Sequence, residues 1–185
     1  MTETHPKPLV TAVFADKERA QAVVEELVEK DFPMDQVSLL HHAGGSGDDF
    51  LGLTYENEKE RLSVWGEHGA LWGAIGGLLA GATGLIVVPG LGALMVAGPL
   101  VEAIIGAATG AGLMAGAAAV THLTTALHRA GIPEEKLEEL HQAVMDGKTL
   151  LILHCDRDDR CGNEDPQAWV QKLRWEGAES VTTLP

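Results

Sequence analysis

The sequence predicts an α+β fold: a split ferredoxin-like domain (βαβ–insertion–βαβ) with an inserted glycine-rich apolar helical hairpin. Three observations predict it. Residues 1–42 read as strand, helix, strand, and residues 149–185 repeat that order in shorter form. Between them, Gly69 to Thr121 is a block of fifty-three residues with one ionisable side chain, Glu102.

The first unit is the clearest. Leu9–Ala15 (LVTAVFA) is rich in β-formers and alternates well enough for a strand. Asp16 is a natural N-cap, and Ala20, Val23, Val24, Leu27 and Val28 then fall on one helical stripe. Phe32-Pro33 ends that helix, and Gln36–His41 makes the second strand. In the second unit Thr149–His154 (TLLILH) is a strand, Asp165-Pro166 opens a helix, and Val181–Leu184 is a short last strand. Two such units form the four-stranded ferredoxin-like sandwich, with right-handed crossovers and helices expected on one face.

The inserted part divides by composition. Residues 43–68 are a glycine- and acid-rich linker leading into a charged helix start, and 69–130 are the apolar hairpin. Residues 131–148 are an amphipathic helix, with Pro133 at its start, Leu137, Leu140 and Val144 on one stripe and Gly147 as its stop. Within the hairpin, Gly69, Gly73, Gly77 and Gly81 recur every fourth residue, as do Gly106 and Gly110, and Gly112 and Gly116. On a helix this spacing makes a side-chain-free ridge that a second backbone can approach closely. The two halves, Gly69–Val88 and Leu100–Thr121, are separated by Pro89-Gly90, a short apolar piece and Gly98-Pro99. Each is long enough, at 1.5 Å per residue, to cross a ~30 Å hydrocarbon core.

The ridges suit two settings. In lipid they let helices pack where no hydrophobic drive joins them; in water they form the buried centre of a homo-oligomer. Trp65 and Trp72, seven residues apart, fit interfacial anchors or core side chains. Lys59, Arg61, Arg129 and Lys136 flank the hairpin, so both chain ends are expected on the cytoplasmic side of the inner membrane. Glu102, three residues after Pro99, suits either a helix N-terminus, where the dipole favours an anion, or the lining of a pore.

Charge narrows the partners. The net charge is −14 and no Lys/Arg cluster offers phosphates a landing site, which excludes nucleic acid as a partner. Attraction to anionic headgroups is excluded for the same reason, so membrane contact has to come from apolar burial. Two cysteines, Cys155 and Cys161, are too few for a disulfide framework, and the first ten residues carry no secretory pattern.

The segment LVTAVFADKERAQAVVEELVEKDFPMDQVSLL, followed by a glycine- and alanine-rich apolar stretch, resembles the bacterial heat-induced or general stress protein family. The resemblance covers the first 42 residues directly and the glycine segment by composition. It implies a stress-linked, non-enzymatic role and brings no catalytic residue or cofactor.

Other motifs fall away on inspection. Cys155-x5-Cys161 with His154 lacks the tight pairs and four ligands of a zinc site. Asp156 and Asp158 begin a calcium loop that Arg160 and Cys161 break. His41-His42 beside Asp48-Asp49 reads as an exposed strand end sooner than a metal site. Gly147-Lys148-Thr149 ends like a P-loop, but Gln142 stands where glycine is needed and a strand follows. No catalytic, cofactor or metal residues are assigned. The functional expectation is a self-associating stress protein, inserted in or attached to the cytoplasmic membrane. The alternative is a soluble homo-oligomer with the glycine helices as its core.

Overall fold

The computed structural model describes residues 8–42, 83–88, 92–110, 118–155 and 165–184. The fold is α+β and is built on one six-stranded sheet. In chain order the elements are β1 (Leu9–Phe14), α1 (Lys17–Glu29), β2 (Val37–His42), β3 (Thr83–Val88), β4 (Gly92–Ala97) and α2 (Leu100–Gly110). There follow α3 (Ala118–Arg129), α4 (Glu134–Met145), β5 (Thr149–His154), α5 (Pro166–Lys172) and β6 (Ala178–Leu184). The strand order is β3-β4-β2-β5-β1-β6, and every neighbouring pair is antiparallel.

The helix ends follow from local chemistry. Asp16 caps α1 by accepting a hydrogen bond from the Arg19 amide at 3.0 Å. At the other end Asp31 takes the left-handed conformation (φ 57°), and the Phe32 amide donates back to the Leu27 carbonyl at 2.9 Å. That is a Schellman stop, satisfying carbonyls the helix would leave unpaired. Gly131 repeats it after α3: the Ile132 amide donates to the Leu127 carbonyl at 3.1 Å, and a proline follows, as Pro33 follows Phe32. Phe32 and Ile132, the residues after each stop, are both buried, so each turn also seats an apolar anchor.

Both faces of the sheet are covered. On one, Leu9, Val13, Leu40, Leu94, Val96, Leu150 and Ile152 pack beneath α2, α3 and α4 through Leu100, Ile104, Leu123, Leu127, Leu140 and Val144. On the other, Val10, Phe14, Leu39, Leu151 and Leu153 pack against Val23, Val24 and Leu27 of α1, with Phe32, Trp169 and Leu173. Helices confined to one face were the sequence expectation; the inserted region instead supplies a second helical layer. Burial from both sides explains why β1 and β5 read as continuous apolar runs and not as alternating ones.

The apolar hairpin also differs from expectation. Thr83–Val88, the end of its first half, is strand β3, and the piece between the halves is strand β4. Together they extend the sheet beyond β2. Ile86-Val87-Val88 is β-branched and precedes Pro89-Gly90, a strand-and-turn pattern that outweighs the glycine spacing. Of the second half, Leu100–Gly110 is a helix of eleven residues, and the next described helix, Ala118–Arg129, ends in a basic residue. No helix among the described residues is long and apolar enough to cross a membrane.

Candidate functional site

The inserted region meets the rest of the sheet at the start of α2, where three residues from distant parts of the chain converge. β4 leaves the sheet through Gly98, whose φ of 78° is one that L side chains rarely adopt. A Cβ at that position would overlap the Val37 carbonyl, so only glycine lets the turn lie on β2. One residue along β2, Ser38 is fully buried and its Oγ accepts from the Leu100 amide at 3.1 Å. The first amide of α2 is thereby satisfied from a neighbouring strand and not from its own N-cap. The Ser38 Oγ also lies 3.0 Å from His154 Nε2 at the end of β5. With the oxygen accepting from Leu100, the hydroxyl hydrogen is available to a neutral imidazole, and all three elements close into one network.

A serine beside a histidine is the juxtaposition that nucleophilic catalysis uses. Here Ser38 is 0% exposed near the start of β2 and bonded to a helix amide, so it acts as a structural cap out of reach of substrate.

The candidate packing and membrane residues separate. Gly69, Gly73, Gly77, Gly81, Gly112, Gly116, Trp65 and Trp72 lie outside the described residues. Gly106 lies in α2 against α3, where a Cβ would come 3.1 Å from Arg129 Nη1. Gly110 is the last residue of α2. Glu102 is exposed in the first turn of α2, where the helix dipole favours an anion and no desolvation is paid. Ile105 on the same helix is 51% exposed, which is unusual for a large apolar side chain on a helix that also contributes Leu100, Val101 and Ile104 to the core.

The two sheet edges differ chemically. At one, Glu179 of β6 holds Lys148 at 2.6 Å. At the other, β3 reads TGLIVV, and no Asp, Glu, Lys, Arg or His occurs between Gly69 and Val101. A charged edge resists pairing with another chain, whereas an uncharged, β-branched one invites it.

The remaining polar candidates are structural. His41 Nδ1 lies 3.1 Å from Thr149 Oγ1, a buried pair directly across β2 and β5. Asp48 and Asp49, which the sequence sets near His41 and His42, lie outside the described residues, as does Cys161. Cys155 is buried against the α1 face. Gly147 has φ 80° and stops α4, leading directly into β5. Among the described residues no group of three or more His, Cys, Asp or Glu is placed to hold a metal ion.

Sequence reasoning missed Gly98, Ser38 and His154 as a unit, because nothing in the spacing of residues 38, 98 and 154 announces a contact. The signal for β3 and β4 was present in the β-branched run and its Pro-Gly turn. Comparison of the chain with family models, with curated proteins and with solved structures gives no match in any of the three.

Proposed function

We propose that this chain is a non-enzymatic, self-associating protein that assembles in water through its uncharged inserted region. The carrying observation is the placement of that region. Thr83–Val88 forms a sheet edge within a stretch free of ionisable groups, while the chain as a whole carries −14. Two strongly acidic molecules repel wherever their charged surfaces approach, so an uncharged edge is where a second copy can dock.

The frame is read as a ferredoxin-like split βαβ extended by a hairpin. Strands β1 and β2 flank β5, and β5 and β6 flank β1, so each βαβ unit places one strand between those of the other. The resemblance to the heat-induced and general stress proteins adds a stress-linked role. The soluble assembly is preferred to the inserted hairpin because β3 and β4, the end of its first half and its connector, belong to the sheet. Glu102 then serves the N-terminus of α2 and does not line a pore.

Fractionation of cells expressing the chain separates the two settings. Recovery in detergent-free buffer as a discrete particle larger than one chain is the expected result. Retention in a carbonate-washed membrane pellet, released only by detergent, would overturn the reading.

A further inference from the structure

The hydroxyl that ties the inserted region to the sheet is shared with a titratable ring. We propose that His154 is a proton-operated latch on the start of α2. The neutral imidazole holds Leu100 on β2 through Ser38, and protonation of the ring lets the helix lift. The latch works within one chain and does not depend on self-association.

Proton counting carries it. Ser38 Oγ has one hydrogen to give and two lone pairs to accept with. It accepts from the Leu100 amide at 3.1 Å and lies 3.0 Å from His154 Nε2. The set closes only when Nε2 brings a lone pair, as in the neutral ring protonated at Nδ1. In the imidazolium both ring nitrogens are donors, so Oγ faces two donors and its own hydrogen loses its acceptor. Ser38 is 0% exposed, so water reaches that hydrogen only if α2 separates from β2. The place also disfavours the cation, because the first amides of α2 are the positive end of the helix dipole. His154 itself is half-buried at the end of β5, within reach of solvent protons.

Of the titratable groups on the surrounding elements, His141 is the other one buried on this face. β1, β4 and the remainder of β5 carry none. On β2, His41 is bonded to Thr149 and His42 sits at the far end from Ser38. Cys155, next to His154, packs on the α1 face. Glu102 of α2, His128 and Arg129 of α3, and Glu134, Glu135, Glu138 and Glu139 of α4 are exposed. Lys136 is paired with Glu139. His141 of α4 is buried, and among the described residues its Nε2 has no hydrogen-bond partner. The two histidines therefore have to be separated by experiment.

Nuclear magnetic resonance of the full chain from about pH 8 to about pH 5, across the ordinary imidazole range, does this. At the upper end His154 should be the Nδ1–H tautomer. Through its titration the Leu100 amide's protection from hydrogen exchange, corrected for the intrinsic rate, should fall about tenfold or more. The Val13 and Leu151 amides, in central strands, should keep theirs. In His154→Gln, whose side-chain oxygen can accept from Ser38 without titrating, Leu100 should stay protected in acid. A neutral ring protonated at Nε2, or one that does not titrate in this range, would overturn the latch. So would Leu100 protection that is unchanged through the titration. An equal acid loss in His154→Gln, with unchanged far-ultraviolet circular dichroism, would assign the effect to His141 and overturn it too. If His154→Gln does not fold, His141→Leu decides: the loss at Leu100 should persist and follow the His154 titration, and its disappearance would contradict the latch.

Discussion

The Ser38 hydroxyl accepts a hydrogen bond from the Leu100 amide at 3.1 Å, tying the start of β2 to the first turn of α2 across sixty-two residues of chain. Both partners are buried, so the bond cannot be replaced by water without opening the helix from the sheet. Ser38→Ala removes the acceptor and leaves the amide unsatisfied, at a cost of about 1–3 kcal/mol. Urea unfolding should show the midpoint falling with an unchanged slope. A variant as stable as the wild type would mean that the bond carries no net weight.

Gly98 is held more tightly still. Alanine there meets two obstacles at once, the left-handed backbone (φ 78°) and the Val37 carbonyl, which cannot swing aside because it belongs to the sheet. Gly98→Ala should therefore destabilise the fold by more than ~2 kcal/mol, combining conformational strain with a displaced strand. Thermal unfolding reads the loss, and a melting temperature unchanged from the wild type would contradict the packing described.

Gly106 is predicted to behave differently, although its spacing from Gly110 marked it as a helix-packing position. Among the described residues, the atom that a Cβ there would meet is Arg129 Nη1, at the end of a long side chain on an exposed residue. The guanidinium can move, while alanine in a helix interior gains up to ~1 kcal/mol over glycine. Gly106→Ala should be neutral or stabilising. A loss above ~1 kcal/mol in chemical denaturation would show that the α2–α3 approach does need a bare backbone there.

Much of the frame was legible in the sequence, and the failures have identifiable causes. α1 could be read because Asp16, a clean apolar stripe and Phe32-Pro33 all agree, and the structure places its start and end within a residue or so of those signals. β5 was legible as an apolar run between Gly147 and a polar loop. The inserted region misled because glycine every fourth residue is a helix-packing signal only if the segment is helical. Over Thr83–Val88 β-branched residues decide the matter, and the sheet supplies a partner strand in β4 that no local pattern reveals. The second helical layer was missed for a related reason. α3 and α4 were placed in an insertion, and nothing local told that Leu127 and Leu140 would share a core with Leu9 and Ile152. The Ser38–Leu100–His154 network is illegible by nature, since it depends on three chain segments meeting.

Lys148 and Glu179 give a pH signature. The hydrogen bond from Lys148 to Glu179, with the carboxylate's charge, raises the lysine pKa above its usual value. A raised pKa means that the charged lysine is favoured by folding, so its contribution is complete below the unfolded value of 10.5 and is lost as pH rises through the folded one. Both side chains are partly exposed, so the effect is small and screened by salt. The stability difference between wild type and Lys148→Met should therefore hold steady from neutral pH towards 10.5 and close above it. A difference that grows with pH across that range would contradict the assignment.

The central claim, that an acidic α+β chain associates in water through its uncharged inserted region, is tested most directly by sedimentation equilibrium of the full chain without detergent. The account predicts a discrete particle of at least twice the 19.6 kDa chain mass in detergent-free buffer. A mass of 19.6 kDa at every concentration, or a chain that stays in solution only with detergent, would contradict it.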